Sequence, residues 1–464
     1  MKKIKNKIIV VLFIITLIIF NIIPKSFANT SGDNMYDVQD SSNKSLATIK
    51  IDGYFDYKKA NEVLTIVNKE RANNGLTALK MDRSLLETAM QRAAETSIYW
   101  DHIRPDGTYC FTANNKMTGE NIAYAAITSD EVMDLWMNSS VHKRNILLST
   151  NKSIGIGCFN YGGVNYWVQC FSSGDAEGTT ITENKNATSE ININADYVDL
   201  SLEKSSMNLK MGEIQHNTIE NHGNYLWLKT VKLNADSAIW KSSDDKIATV
   251  DKYGNVKGIT PGKVTISAII GEIEKTYEVT VKLPFDDVNK NDWFYNAVKY
   301  NYCNKIMSGL NGSTFSPNSN VTRGMLVTIL YNFEGHPSIT GTSKFSDVQN
   351  KNIYFYNAVV WASNNNVVSG YANGNFGPDN NITREQLATI LYNYSRYKGK
   401  YKTVYADYSK FTDSNKISDF AKWGMNWAVG NQIVNGSNGK LNPQGTATRA
   451  EAAAMISNYC NKIK

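Results

Sequence analysis

Two histidines and a glutamate define the chemistry open to this chain. They lie in three punctuated stretches between Trp100 and Leu147: WDHIRPDG with His102, TGENIAY with Glu120, and WMNSSVHKRNIL with His142. Only five histidines occur in 464 residues, so two in one window with a carboxylate between them is a concentration. Two imidazoles and a carboxylate can ligate a divalent metal such as zinc, and can equally move protons near neutral pH. Each histidine also has a plainer employment. His102 directly precedes the turn sequence Arg104-Pro105-Asp106-Gly107 and could simply close it. Ser139 or Ser140 could cap a helix that leaves His142 on a solvated first turn. Forty residues separate the histidines and no HExxH motif is present, so spacing alone does not choose.

The order of the surrounding segments is more specific. VNKERANNGL at 67–76, DHIRPDG at 101–107, GENIA at 119–123, SSVHKRNIL at 139–147 and SIGIGC at 153–158 follow one another. On these pieces, from about Asn61 to Ser172, the chain resembles the CAP superfamily (cysteine-rich secretory, antigen 5 and pathogenesis-related proteins) in its bacterial SCP-like extracellular form. The resemblance implies a three-layer α-β-α sandwich with a central cleft holding His102, Glu120 and His142. Many animal members carry a second cleft glutamate shortly after a tryptophan on the helix before the last histidine; here Trp136 is followed by Met137, Asn138 and Ser139. The implied metal set is reduced to His102, Glu120 and His142, which argues for weak zinc binding and for a lipid, small-molecule or protein ligand in the cleft.

The elements needed to position such a site are legible. Val63, Leu64, Val67 and Ala72 give one helical pattern, and Leu85, Leu86, Ala89, Met90 and Ala93 a second, with Gly75 and Asp82-Arg83-Ser84 as stop and restart. Glu131 to Trp136 reads as a further helix, and residues 154–157 and 166–168 as strands. Cys158 and Cys170 flank a Gly162-Gly163 turn, so a cross-strand bridge between them is conceivable, with Cys110 competing for either partner; five cysteines leave at least one unpaired within a monomer.

Residues 1–28 have lysines at 2, 3, 5 and 7, an apolar run from Ile8 to Ile23, and a small-residue end at Ala28, the pattern of a secretory signal peptide cleaved after Ala28. The mature chain is then expected to be extracellular, with no transmembrane anchor. The formal charge is +6, and this leader holds five lysines and no acids, so the mature chain stands near +1. That excludes a nucleic-acid reading built on basic charge. Residues 29–49 read as a flexible lead-in, 50–173 as the CAP domain, and 174–196, rich in Thr, Asn, Glu and Ser, as a linker.

Beyond the linker the period changes to two. Leu226 to Val231 and Val264 to Ala268 alternate as half-buried strands, with turns at Tyr253-Gly254-Asn255 and Thr260-Pro261-Gly262. IWKSSDDKIATVDKYGNVKGITPGKVTISA at 239–268 is similar to the bacterial Ig-like group 2 module, which implies an all-β sandwich over 197–282, read as a spacer. The rest is an internal repeat. FDDV at 285, FSDV at 345 and FTDS at 411 open three copies, Gly309, Gly370 and Gly436 mark their middles, and TRGM, TREQ and TRAE open a second helix in each. Thr383 with Gln386 and Thr448 with Glu451 make capping boxes, but a cap does not require Arg323, Arg384 and Arg449. The copies, 283–340, 341–405 and 406–464, resemble S-layer homology repeats, mainly helical and packed about a pseudo-threefold axis. By that resemblance the three arginines hold an acidic, commonly pyruvylated, secondary cell-wall polysaccharide, in keeping with guanidinium recognition of carboxylates. Three readings of the whole follow: a wall-anchored surface protein whose CAP cleft binds a ligand, a metal-assisted hydrolase using the same cleft, or a purely structural S-layer component. The first is favoured.

Overall fold

The computed structural model describes residues 25–30, 45–178, 180–222, 231–401, 404 and 406–463. Residues 1–24 of the leader, most of the lead-in and residues 226–230 of the strand expected at 226–231 lie outside the described residues. The first unit is built on one sheet in the order β1-β4-β6-β5-β2-β7, with β3 (Lys80–Met81) pairing β5 in parallel. Its strands are β1 (Lys25–Thr30), β2 (Leu46–Phe55), β4 (Gly119–Tyr124), β5 (Ser153–Tyr161), β6 (Val164–Ser172) and β7 (Lys185–Asn194). Its helices are α1 (Tyr57–Asn73), α2 (Arg83–Ile98), α3 (Ser129–Met137) and α4 (Ser140–Ile146).

Local chemistry sets these boundaries. The Asp56 and Asp82 side chains accept the backbone N–H of Lys59 and Leu85 at the starts of α1 and α2, and Thr128 and Glu131 close a capping box on α3. β5 carries glycines at 155 and 157 because α2 lies directly on it: a Cβ at either position would fall about 2 Å from the carbonyl of Leu85 or Ala89.

Two expectations are corrected here. Residues 185–194 belong to no linker but form β7, paired antiparallel with β2 from Leu46↔Asn194 to Phe55↔Lys185. β2 likewise begins inside the segment expected to be a flexible lead-in. The reason is that a strand needs apolar residues only at every second position; Ile191 and Ile193 on one strand and Ala47, Ile49 and Ile51 on the other are buried amid polar neighbours. Of the cysteine alternatives, the bridge is not the one formed: Cys158 pairs in register with Trp167 and Cys170 with Gly155, and none of the five cysteines is in a disulfide.

The second unit is all β: β8 (Leu200–Leu202), β9 (Ser206–Lys210), β10 (Ile214–His216), β11 (Ile219–Asn221), β12 (Val231–Lys232), β13 (Ile239–Ser242), β14 (Ala248–Val250), β15 (Asn255–Gly258), β16 (Gly262–Ile270) and β17 (Ile273–Lys282). Three sheets run β10-β15-β14, β12-β11-β8 and β13-β16-β17-β9. This unit grips the first through β2 and the end of β5. Asn234 donates its N–H to the Lys50 carbonyl at 2.7 Å, the Lys50 N–H donates to Ser237 Oγ at 2.8 Å, and Tyr161 Oη donates to the Lys232 carbonyl. The hydrophobic core runs on from one unit into the other.

The three copies contribute two helices each: α5 (Tyr295–Cys303) and α6 (Arg323–Phe333), α7 (Tyr356–Asn364) and α8 (Arg384–Tyr397), α9 (Lys422–Gly430) and α10 (Arg449–Lys462). They share one core. Their backbones close a ring of hydrogen bonds: Val321 N–H to Ala447 O, Ala447 N–H to Ile382 O, and Ile382 N–H to Val321 O, at 2.9–3.0 Å.

Candidate functional site

Every residue of β4 is buried, and successive side chains on a strand point to opposite faces. Glu120 therefore turns to α2, while Asn121 turns to α4, where its amide nitrogen lies 3.3 Å from the His142 carbonyl and its oxygen accepts from Asn145 Nδ2 at 2.9 Å. His102 sits in the loop after α2. The backbone closes the following turn by itself: Arg104 N–H donates to Thr108 O, Gly107 N–H to Arg104 O with Gly107 at a φ of 87°, and Cys110 N–H to His102 O. The imidazole is thereby left to reach Glu120, Nδ1 to Oε2 at 2.7 Å.

His142 lies on α4, whose N-cap Ser139 makes no side-chain cap, and it is 2% exposed, so it is not on a solvated first turn. The far end of α4 is held by Arg71, whose guanidinium donates to the carbonyls of Ile146 and Leu148 at 2.7 and 3.0 Å. That gives the arginine of the VNKERANNGL segment its structural employment.

Behind His102 and Glu120 runs a buried chain of charges. Arg104 pairs with Glu95 at 2.7 Å, Glu95 with Arg92 at 2.8 Å, and Arg92 with Glu120 at 2.8 Å. Burial pushes the Glu120 carboxyl up, but Arg92 first and then His102 outweigh it and bring its pKa down to about 2. An ionised Glu120 only accepts, so the proton of this hydrogen bond is carried by His102 Nδ1. Nε2 is buried and has no hydrogen-bond partner among the described residues. A carboxylate-oriented imidazole with an unused basic nitrogen can take a proton from a bound hydroxyl or amide.

A third group joins them that the sequence reading left out. His102, Cys110 and Glu120 each offer a ligand atom within 4.8 Å of the other two, and His142 is not in that group. Nitrogen, sulfur and oxygen donors at this spacing suit zinc. Burial and then Glu120 push the Cys110 thiol up, however, so it keeps its proton. Both Glu120 oxygens are already engaged, one by Arg92 and one by His102. An ion would have to displace these interactions, so binding is expected to be weak. After dialysis against metal-free buffer the protein should retain well below one zinc per chain by elemental analysis. Stoichiometric zinc that vanishes in Cys110→Ser and survives His142→Ala would overturn this and assign the ion to the new trio.

At the other end of the chain, each recurring arginine reaches into the next copy. Arg323 donates from Nε to Phe376 O and from Nη2 to Ser369 O; Arg384 from Nε to Leu441 O and from Nη1 to Glu451; Arg449 from Nε to Phe315 O and from Nη2 to Ser308 O. The sequence argument gave the arginine to function because a cap did not need it; packing between copies needs it. The receiving loops are themselves clamped. Asp287, Asp347 and Asp413 each accept two consecutive backbone N–H groups, those of Phe315 and Ser316, Phe376 and Gly377, and Leu441 and Asn442. Beside Arg323 a groove of about 250 Å³ is lined by Ser369, Tyr371, Gln386, Asn393 and Phe420 among others, and so spans all three copies. Just before α5, α7 and α9, at equivalent positions, Trp293, Tyr354 and Phe420 are 68, 64 and 59% exposed.

Family comparisons match these units one by one: the cysteine-rich secretory protein family over 64–171, the bacterial Ig-like domain (group 2) over 229–281, and the S-layer homology domain over 284–324, 344–388 and 410–453. The chain carries a CAP domain, an Ig-like domain and three S-layer homology repeats. Among curated relatives, an endoglucanase of Bacillus sp. (strain KSM-635) is 29% identical over 39% of this chain and 19% of its own length. Uncharacterized protein YkwD of Bacillus subtilis (strain 168) is 34% identical over 24% of this chain and 45% of its own. The surface-layer 125 kDa protein of Lysinibacillus sphaericus is 28% identical over 34% of this chain and 13% of its own. The chain thus spans less than half of each of these relatives.

In the CAP domain the sequence reading missed Arg92, Glu95 and Arg104 as well as Cys110. The signal was the setting of Arg92 and Glu95 among Ala89, Met90, Ala93 and Ala94, since a charged pair three apart on a small apolar face is a buried pair. In the S-layer homology repeats it missed the three aspartates, although each is the third letter of the FDDV, FSDV and FTDS openings.

Proposed function

We propose that this is a cell-surface protein held non-covalently to an acidic, pyruvylated secondary wall polysaccharide, displaying a CAP domain that captures a ligand around His102 and Glu120. Its place is the cell wall or S-layer, as the S-layer homology repeats indicate. The leader over 1–28 would be removed on export. The finer architecture belongs to the same proposal: an α-β-α sandwich, an Ig-like β-sandwich as spacer, and a pseudo-threefold helical anchor.

The observation that carries the anchoring reading is the groove beside Arg323, bounded by Tyr371 and by the exposed Phe420. Aromatic faces can cover the apolar faces of sugars, and the guanidinium supplies positive charge for a carboxylate. The exported chain should sediment with purified wall sacculi and lose this on chemical removal of the wall polysaccharide. Undiminished sedimentation with stripped peptidoglycan would sink the polymer reading. A second reading, hydrolysis, is favoured by the unused Nε2 of His102, which is placed as a general base. A purely structural S-layer role gives that nitrogen nothing to do.

A further inference from the structure

The outer edge of β4 is the place where an approaching chain would meet the His102 and Glu120 pair. In the structure that edge is taken by β1, antiparallel, with Lys25↔Tyr124, Ser26↔Ala123, Phe27↔Ile122, Ala28↔Asn121, Asn29↔Glu120 and Thr30↔Gly119. α4, the helix that carries His142, packs against this same strand. The seat thus has α4 beside it and, on its floor, the strand residue that holds His102 at 2.7 Å. Six consecutive residues in register show that the edge accepts an extended backbone over its whole length.

Four of the six residues seen in this seat are ones the exported protein would not keep. With cleavage after Ala28, Lys25 to Ala28 leave, and Tyr124, Ala123, Ile122 and Asn121 lose their partners. An open sheet edge is a row of unpaired N–H and C=O groups, and a further extended strand is what satisfies them. We propose that the β4 edge of the exported protein is a peptide-binding site that captures an extended segment of another polypeptide by β-strand addition. The ligand class of the CAP cleft is then a polypeptide in extended form, recognised mainly through its backbone. It pairs with Asn121 to Tyr124, beside Glu120, the strand residue that holds His102. This rests on the ligand-capture reading of the cleft and on leader removal, not on wall anchoring.

The probe is a synthetic peptide of residues 24–32, labelled and titrated onto the exported chain, residues 29–464. Saturable binding is expected. A strand pairs through every second N–H, so methylating the backbone nitrogens of positions 25, 27 and 29, or alternatively those of 26, 28 and 30, separates the two edges of the peptide. One set should lower affinity at least about tenfold and the other should leave it nearly unchanged. Equal effects of the two sets, or no saturation, would overturn strand addition. Binding that appears only after residues 29–44 are deleted would mean that the chain's own lead-in reoccupies the edge, and would overturn capture of a second polypeptide. Mass spectrometry of the exported protein checks the cleavage separately, and sedimentation with sacculi checks the anchor, so failure of either reading is told apart from failure of this one.

Discussion

Replacing Arg92 by leucine is expected to cost the CAP domain about 3–5 kcal/mol, the loss typical of removing one partner from a buried ionic network. Arg92 is wholly buried and is the only cation in direct contact with Glu120 among the described ion pairs, apart from His102 when that is protonated. Without it, Glu120 and Glu95 face each other's environment with their common partner gone. Whole domains have only about 5–15 kcal/mol to lose, so much of the native population should go. Hydrogen exchange of the α2 and β4 amides, followed by mass spectrometry, reads this domain separately from the rest of the chain. A change below about 1 kcal/mol would show that the network is not what holds Glu120 ionised. The wild type should carry a matching pH signature. Glu120 is lowered in the fold from 4.5 to about 2, so its contribution is fully present above pH 4.5 and is lost as pH falls through 2. Glu120→Gln should remove that acid limb.

The second large effect is expected in the S-layer homology repeats. Arg323→Ala should cost about 2–4 kcal/mol, because two carbonyls, those of Phe376 and Ser369, lose a charged donor in a largely buried seam. Arg323 also stacks over Tyr371 and Phe376, with the guanidinium carbon 4.8 Å from each ring centroid, and burial lowers its pKa. Wall binding should fall with stability. Arg323→Lys separates the two roles: a lysine keeps the charge but cannot make the forked donation. If the lysine variant keeps its stability yet loses sedimentation with sacculi, the arginine acts on the polymer directly. If both fall together, its employment is the seam.

How much of this was legible follows from what a sequence can display. The capping boxes at Thr383 and Thr448 formed as their spacing implied, because a cap is a contact between residues three apart. The helices at Leu85–Ala93 and Glu131–Trp136 formed for the same reason: their period is local. The partners of Arg323 and Arg449 were invisible, because they are backbone carbonyls, and every residue of a chain has one. β7 was hidden by composition, since Asn, Thr and Ser around two isoleucines read as linker until β2 supplies the other half of the pair. At the site, residue type singled out His102, Glu120 and His142; the fold joins the first two in one hydrogen bond and leaves His142 outside that group. Cys110 was considered only as a disulfide partner, although the short turn after His102 brings it to the same carboxylate.

The closed cycle of contacts makes each repeat depend on both of the others. In an open array each unit leans on its neighbours, and one more or one fewer leaves a working stack. Here the arginine of the last copy, Arg449, returns to the loop of the first through Ser308 and Phe315. Deleting the middle copy would therefore strand Arg323 without its acceptors and deprive the third copy of its donor, Arg384. The three copies are thus one closed set, in which loss of any copy removes both a donor and an acceptor from its neighbours.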